Sequence, residues 1–191
     1  MQGFGESGGE FVHLCSSVGG RMSRVTPWFE RKFDFSFPVE LFPNVVARLR
    51  GTPARVEEIL RICPEQIRCK KPEEKWSAQE HAGHLADLEP LWTARVEDFA
   101  RGGGELTVAD LRNRKTSEAN HNARPLEEIL GEFRSGRMAM VSRVEMIEGG
   151  VAGRTLMHPR MKQAMRLVDH LYFVAEHDDH HLAHILEMVG R

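Results

Sequence analysis

Between Pro125 and Gly149 the apolar residues Leu126, Ile129, Leu130, Phe133, Met140, Val141, Val144 and Ile147 recur at mostly three- and four-residue steps. At about 3.6 residues per turn, a helix gathers such positions on one face. This rhythm recurs along the chain and sets the fold class. A first helix is predicted over 42–63, with Val56, Ile59, Leu60 and Cys63 as its stripe and Gly51-Thr52-Pro53 as a point of interruption. A second is predicted over 77–101. Ser77 and Glu80 fit the S-x-x-E capping box at its start, any bend falls near Pro90, and Gly102-Gly103-Gly104 stops it. The third covers 125–148 and the fourth 161–189. No stretch shows the two-residue alternation of a strand. The expected fold is all-α, a four-helix bundle. The polar stretch from Gly102 to Arg124 is far longer than an ordinary helix–helix link, which predicts a crossover along the bundle between helices 2 and 3.

Charge narrows the partners. The 191 residues carry a net charge of −2, with both signs interspersed. No basic field invites nucleic acid, and no apolar run approaches the ~20 residues of a membrane span. A small-molecule partner is the expectation. Cys15, Cys63 and Cys69 have neither zinc-ligand spacing nor the numbers for a disulfide framework, which fits a cytoplasmic protein. Residues 1–27, rich in glycine and serine at their start, are expected to be a disordered arm, and 28–191 one domain. Met22 reads as an alternative start. Trp28, Phe29, Phe33, Phe35 and Phe37 then lead to Pro38. These rings either pack outside the bundle as an extended arm, or line a ligand pocket or the seam of a homodimer.

Histidine is concentrated near the C-terminal end, where four of ten fall between His177 and His184. Either pair four residues apart, His177/His181 or His180/His184, can clamp a metal ion from one side of a helix. Steps of about 100° per residue choose between them. Leu167, Leu171, Val174 and Ile185 centre the apolar stripe, with His181 inside it and His177 at its edge. His184 lies further round, and His180 is expected to point to solvent. A third ligand must come from another helix, and Glu80-His81-Ala82-Gly83-His84 supplies two candidates that phase alone does not separate.

These motifs together resemble the DinB/YfiT-like superfamily of metal-binding four-helix bundles. The matching residues are Trp76-Ser77 with Glu80, His84-Leu85-Ala86-Asp87, and His177 and His181 followed by Ile185. The resemblance covers 39–189 and implies that His84, His177 and His181 bind a divalent metal. It also implies the long connector. His180 and His184 depart from the pattern and leave open a shifted or second site. Three neutral imidazoles suit Zn²⁺, Ni²⁺ or Fe²⁺ and leave a coordination position for water or a substrate thiolate. Asp87 is placed to orient a ligand imidazole.

Three charged residues fall at core phase: Arg95, Arg137 and Asp178. Unpaired burial is costly, so Asp178 is expected to bridge to Arg95 or Arg137, unless both arginines extend to the bundle ends. One of the arginines is also a candidate for receiving an anionic substrate group. His158-Pro159-Arg160 reads as an entry turn, with His158 a candidate to lie over the metal. The family resemblance implies a metal-dependent hydrolase or a low-molecular-weight-thiol transferase. The alternative is a non-catalytic metal- or small-ligand-binding protein linked to stress. An accessible cavity over the histidines favours catalysis, whereas a fourth protein ligand favours binding alone.

Overall fold

The computed structural model describes residues 25–72 and 75–190. The arm expected at 1–27 lies, as far as residue 24, outside them, as does Cys15. Four long helices form the body: α1 Phe42–Arg61, α2 Ala78–Arg101, α3 Leu126–Glu145 and α4 Leu167–Val189. Their directions follow from side-chain pairs. Arg137 meets Glu89 and Arg143 meets Glu97, so α2 and α3 are parallel. Thr52 meets Asp178 and Arg48 reaches the Ala175 carbonyl, so α1 and α4 are parallel too. The rings of His84 and Trp92 meet those of His181 and His170, which sets α2 antiparallel to α4.

Parallel α2 and α3 require a connection that travels back along the bundle, and the expected crossover does so. Thr107 N donates to Asp98 Oδ2 at 2.7 Å near the end of α2, and Thr116 reaches Asp87 at mid-helix. Asn122 accepts from Ser77 Oγ at 2.6 Å at its start. The capping box forms there as predicted: Glu80 N donates to Ser77 Oγ at 3.1 Å, and Ser77 N to Glu80 Oε2 at 2.8 Å. Gly102 ends α2 at φ +75°, a conformation glycine adopts without strain.

One polar layer divides the core. Each helix supplies a residue to it: Thr52, Glu89, Arg137 and Asp178, all buried. On one side lie Leu49, Trp92, Met140 and Val174; on the other Val56, Leu85, Phe133 and Leu182. Arg137 is fully buried and donates to both carboxylates, Nη2 reaching Glu89 Oε1 at 2.7 Å and Asp178 Oδ1 at 3.0 Å. Of the two predicted partners for Asp178, then, the structure selects Arg137. Pro53 contributes by what it lacks. Having no amide, it leaves the Leu49 carbonyl unclaimed, and Arg137 Nη1 donates to it at 3.4 Å. Helix α1 therefore continues through Gly51-Thr52-Pro53, where an interruption was expected.

The reading of 161–189 as helix is corrected at its start. Thr155–His158 (β1) and Gln163–Arg166 (β2) pair as an antiparallel hairpin, and α4 begins only at Leu167. Four-residue strands are too short for alternation to register against helical spacing. Asp169 stops the hairpin and starts the helix, accepting Arg166 N at 2.8 Å and Arg166 Nη2 at 2.7 Å. Glu105 forms a parallel bridge to Met157, so the connector leaves α2 by joining this hairpin. The arm after Trp28 lies along α4. Phe33 packs on Phe173, and Phe37 on Tyr172.

Candidate metal centre

His84 on α2 and His177 and His181 on α4 converge. Each offers a ring nitrogen within 4.8 Å of the other two, and all three side chains are buried. His181 Nε2 stands 3.1 Å from His177 Nε2. Among the described residues no other histidine, cysteine or carboxylate completes a fourth position of this cluster. His177 and His181, the pair favoured by helical phase, thus lie together with His84, and His81 stands outside this cluster.

The hydrogen bonds behind His84 fix its tautomer. Thr116 Oγ1 donates its single proton to Asp87 Oδ2 at 3.0 Å, so it must accept from His84 Nδ1–H, also at 3.0 Å. That leaves the Nε2 lone pair free to ligate. Asp87 also accepts from His121 Nε2 at 2.8 Å. Burial alone would raise the Asp87 carboxyl, but the bonds from His121 and Thr116 hold it below the usual carboxylate range. The expected role of Asp87 behind a ligand imidazole is thus played at one remove, through Thr116. His121 reaches Asp87 because residue 83 is glycine. A Cβ there would overlap the His121 ring.

His81 takes a supporting place. Its Nδ1 lies 2.7 Å from His181 Nδ1, so one imidazole can orient the other with Nε2 turned to the cluster. His180 requires correction. It was expected at solvent, yet it is 8 % exposed, because Trp28 folds over it with ring centroids 5.6 Å apart. The same indole meets His177 edge-on at 5.0 Å. His180 lines the same cavity as the clustered histidines, with the arm closing over it. His184 lies at the edge and pairs with Glu187 Oε2 at 3.6 Å.

The protonation state suits ligation. Burial pushes His84 down to about 4 and His81 to about 3, the latter with help from neighbouring imidazoles. Burial and the surrounding histidines hold His177 and His181 well below the ordinary value. All are neutral near pH 7, as metal ligands must be. His177 Nδ1 has no partner, and three lone-pair-bearing rings crowd one point, an arrangement that a divalent cation would stabilise.

Over the cluster lies a cavity of about 570 Å³. Trp28, Phe29, Trp76, Leu91 and Phe173 give it aromatic and apolar walls. Both readings of the aromatic arm therefore hold in part: Phe33, Phe35 and Phe37 pack outside α4, while Trp28 and Phe29 line the cavity. His158, at the end of β1, lines it too. Arg95 does not bridge to Asp178. It sits in the cavity wall, its Nε donating to the Thr107 carbonyl at 2.9 Å. Thr116 and His121 escaped the sequence reading, since nothing in a polar connector marks them before its path along α2 is known.

Comparisons with known proteins bear on the family and the fold. The family model of the DinB superfamily matches residues 48–185. This chain belongs to the DinB superfamily. Its fold resembles that of YfiT from Bacillus subtilis, with a TM-score of 0.71 and 18 % identity, over 83 % of this chain and 91 % of that one. YfiT is described as a probable metal-dependent hydrolase with an unusual four-helix bundle topology. No curated protein matches the sequence. In this DinB chain the bundle is built from two parallel helix pairs, with the connector lying along α2. No helix of the described residues is long and apolar enough to cross a membrane.

Proposed function

We propose that this chain is a metal-dependent hydrolase of small molecules, with His84, His177 and His181 as the metal ligands. One observation carries the reading: three buried neutral imidazoles converge on one point in the wall of a cavity of about 570 Å³. A divalent ion held there would supply a Lewis acid for a small-molecule ligand in the cavity. Zn²⁺, Ni²⁺ and Fe²⁺ all suit an all-imidazole set.

The surrounding residues have separable tasks. Asp87 and Thr116 hold His84 with its Nε2 turned to the cluster, and His81 does the same for His181. Trp28 covers His177 and His180 and keeps bulk water from that side. Trp76, whose ring centroid lies 4.6 Å from that of His84, shields the other. The cavity is large enough for two small molecules together, which favours low-molecular-weight-thiol transfer as the second reading. The supply of a cavity, with only three ligands in the cluster, supports catalysis over simple binding.

The test uses purified protein whose metal content is known. Its hydrolysis of a panel of small esters, amides and lactones is followed before and after chelation, and a thiol plus an alkyl halide is offered in parallel. Hydrolysis lost on chelation and restored by metal supports the proposal. Thiol transfer without hydrolysis transfers support to the second reading, and a protein that binds metal but turns over neither set contradicts catalysis.

A further inference from the structure

The cavity has a cationic wall that metal binding does not use. Arg95 lines it and is only 2 % exposed. Its hydrogen-bond partners are neutral: the Thr107 carbonyl at 2.9 Å and His158 Nε2 at 3.2 Å from Nη1. No carboxylate pairs with it among the described residues, and Nη2 has no partner there. Arg160, on the hairpin turn, lines the same cavity. Among the described residues its guanidinium meets aromatic rings and no carboxylate, Phe29 lying at 5.0 Å and Phe173 at 5.9 Å. The carboxylates around them are committed elsewhere. Glu105 faces Lys162 at 3.6 Å, Asp110 accepts from Arg114 at 3.1 Å, and Asp98 accepts from Thr107 Oγ1 at 2.7 Å.

Holding a buried and a half-buried cation in one cavity wall with no paired carboxylate is costly, since Asp98 acts on Arg95 only without direct contact, and an oxyanion between the two would offset that cost. Burial lowers both guanidinium pKa values, that of Arg95 to about 10 with Arg160 adding to the effect, so both stay charged near pH 7. Trp92 lines the same cavity, and its buried indole N–H has no partner. Each arginine also stands close to the histidines. Arg95 lies over Trp92 at 5.5 Å, and Trp92 meets His177 at 5.6 Å. Arg160 reaches Phe173, which packs on Trp28 at 5.0 Å, and Trp28 in turn meets His177.

We infer that Arg95 and Arg160 form an oxyanion subsite, so that the substrate carries a carboxylate or phosphate on a flat apolar body. The aromatic walls take the body, the guanidinium forks take the anion, and the opposite end reaches the histidines. The role in turnover rests on the proposed metal site; the binding preference does not.

All three tryptophans of the chain, Trp28, Trp76 and Trp92, line the cavity, so their fluorescence reports occupancy directly. The probes are 4-phenylbutyrate, its neutral amide 4-phenylbutanamide, and phenyl phosphate, each titrated into metal-loaded and chelator-treated protein. The expected result is at least a tenfold preference for an anion over the amide in both forms, with the tighter anion naming the oxyanion. Arg160→Gln should bring that preference below about threefold while leaving amide affinity unchanged, and Arg160→Lys should keep part of it. Arg95→Gln should do likewise, its thermal melt confirming that it remains folded; Arg160, less deeply buried, decides the matter if it does not. A preference that vanishes on chelation places the anion on the metal and overturns the subsite without touching the metal site. A preference that survives in protein unable to hold metal keeps the subsite even if hydrolysis fails. Equal affinity for anion and amide, or no binding up to the solubility limit, overturns it.

Discussion

Thr116 Oγ1 stands 3.0 Å from His84 Nδ1, and the same hydroxyl donates to Asp87, so the connector sets the tautomer of a candidate metal ligand. The bond is a direct consequence of chain direction. Only a connector that returns along α2 can bring residue 116 beside residue 84.

Thr116→Val removes both bonds with little change in volume. Metal affinity is expected to fall by ~10- to 100-fold, the usual effect of losing such a supporting partner. The melting temperature of the metal-free protein should change far less, since Thr116 lies in a short helical turn of the connector, outside the four long helices. Competition with a chromophoric chelator measures the affinity, and unchanged affinity would mean that Thr116 does not orient His84.

Arg137→Met leaves Asp178 and Glu89 buried without a counter-charge, which should cost ~3–5 kcal/mol in urea unfolding. Burial already raises Glu89 to about 7 despite Arg137, and loss of the arginine should raise it further. The arginine does not line the cavity, and ligand affinity of the folded fraction should stay near normal. A variant that unfolds like the parent would show that the polar layer contributes nothing.

Gly83→Ala drives a methyl group into the His121 ring. The connector must shift, with an expected loss of ~1–3 kcal/mol and faster proteolysis between residues 102 and 124. Equal proteolysis rates in the two proteins would contradict the close packing of His121 on α2.

Acid should weaken the metal-free protein. The folded-state pKa values of the site histidines lie below the unfolded value of 6.5, at about 4 for His84 and about 3 for His81. Above that value the rings are neutral in both states and cost nothing. As pH falls towards 4 the unfolded chain takes up protons that the folded chain refuses, and stability drops. Glu89 works in the opposite sense, being raised to about 7, but it is one group against the four histidines His81, His84, His177 and His181. Between pH 7 and pH 5 the melting temperature should fall by ~10 °C or more. A melt insensitive to pH over this range would mean that these rings are hydrated.

Much of this was legible from the sequence because helices are read from local spacing. The stripe of α3, the capping box of α2 and the phase of His181 each depend only on residues within a few turns. Arg137 and Asp178 at core phase announced a buried network for the same reason. What escaped was set by distant segments. His180 was expected at solvent, but Trp28, about 150 residues earlier in the chain, covers it. Thr116 and His121 carry no signal in a polar connector, and the hairpin at Thr155–Arg166 is too short to show its alternation. Arg95 was placed inward correctly, while its partners, His158 and the Thr107 carbonyl, belong to segments whose positions no local pattern encodes.

Metal stoichiometry in single alanine variants tests the central claim most directly. The parent, purified and dialysed against a divalent metal, should retain one equivalent per chain by elemental analysis. His84→Ala, His177→Ala and His181→Ala should each retain less than about a tenth of that, because each removes one of three protein ligands. His180→Ala and His184→Ala should retain nearly all of it, the former with a lower melting temperature from its lost contact with Trp28. Full retention in His84→Ala or His181→Ala, or loss confined to His180→Ala and His184→Ala, would contradict the three-histidine site.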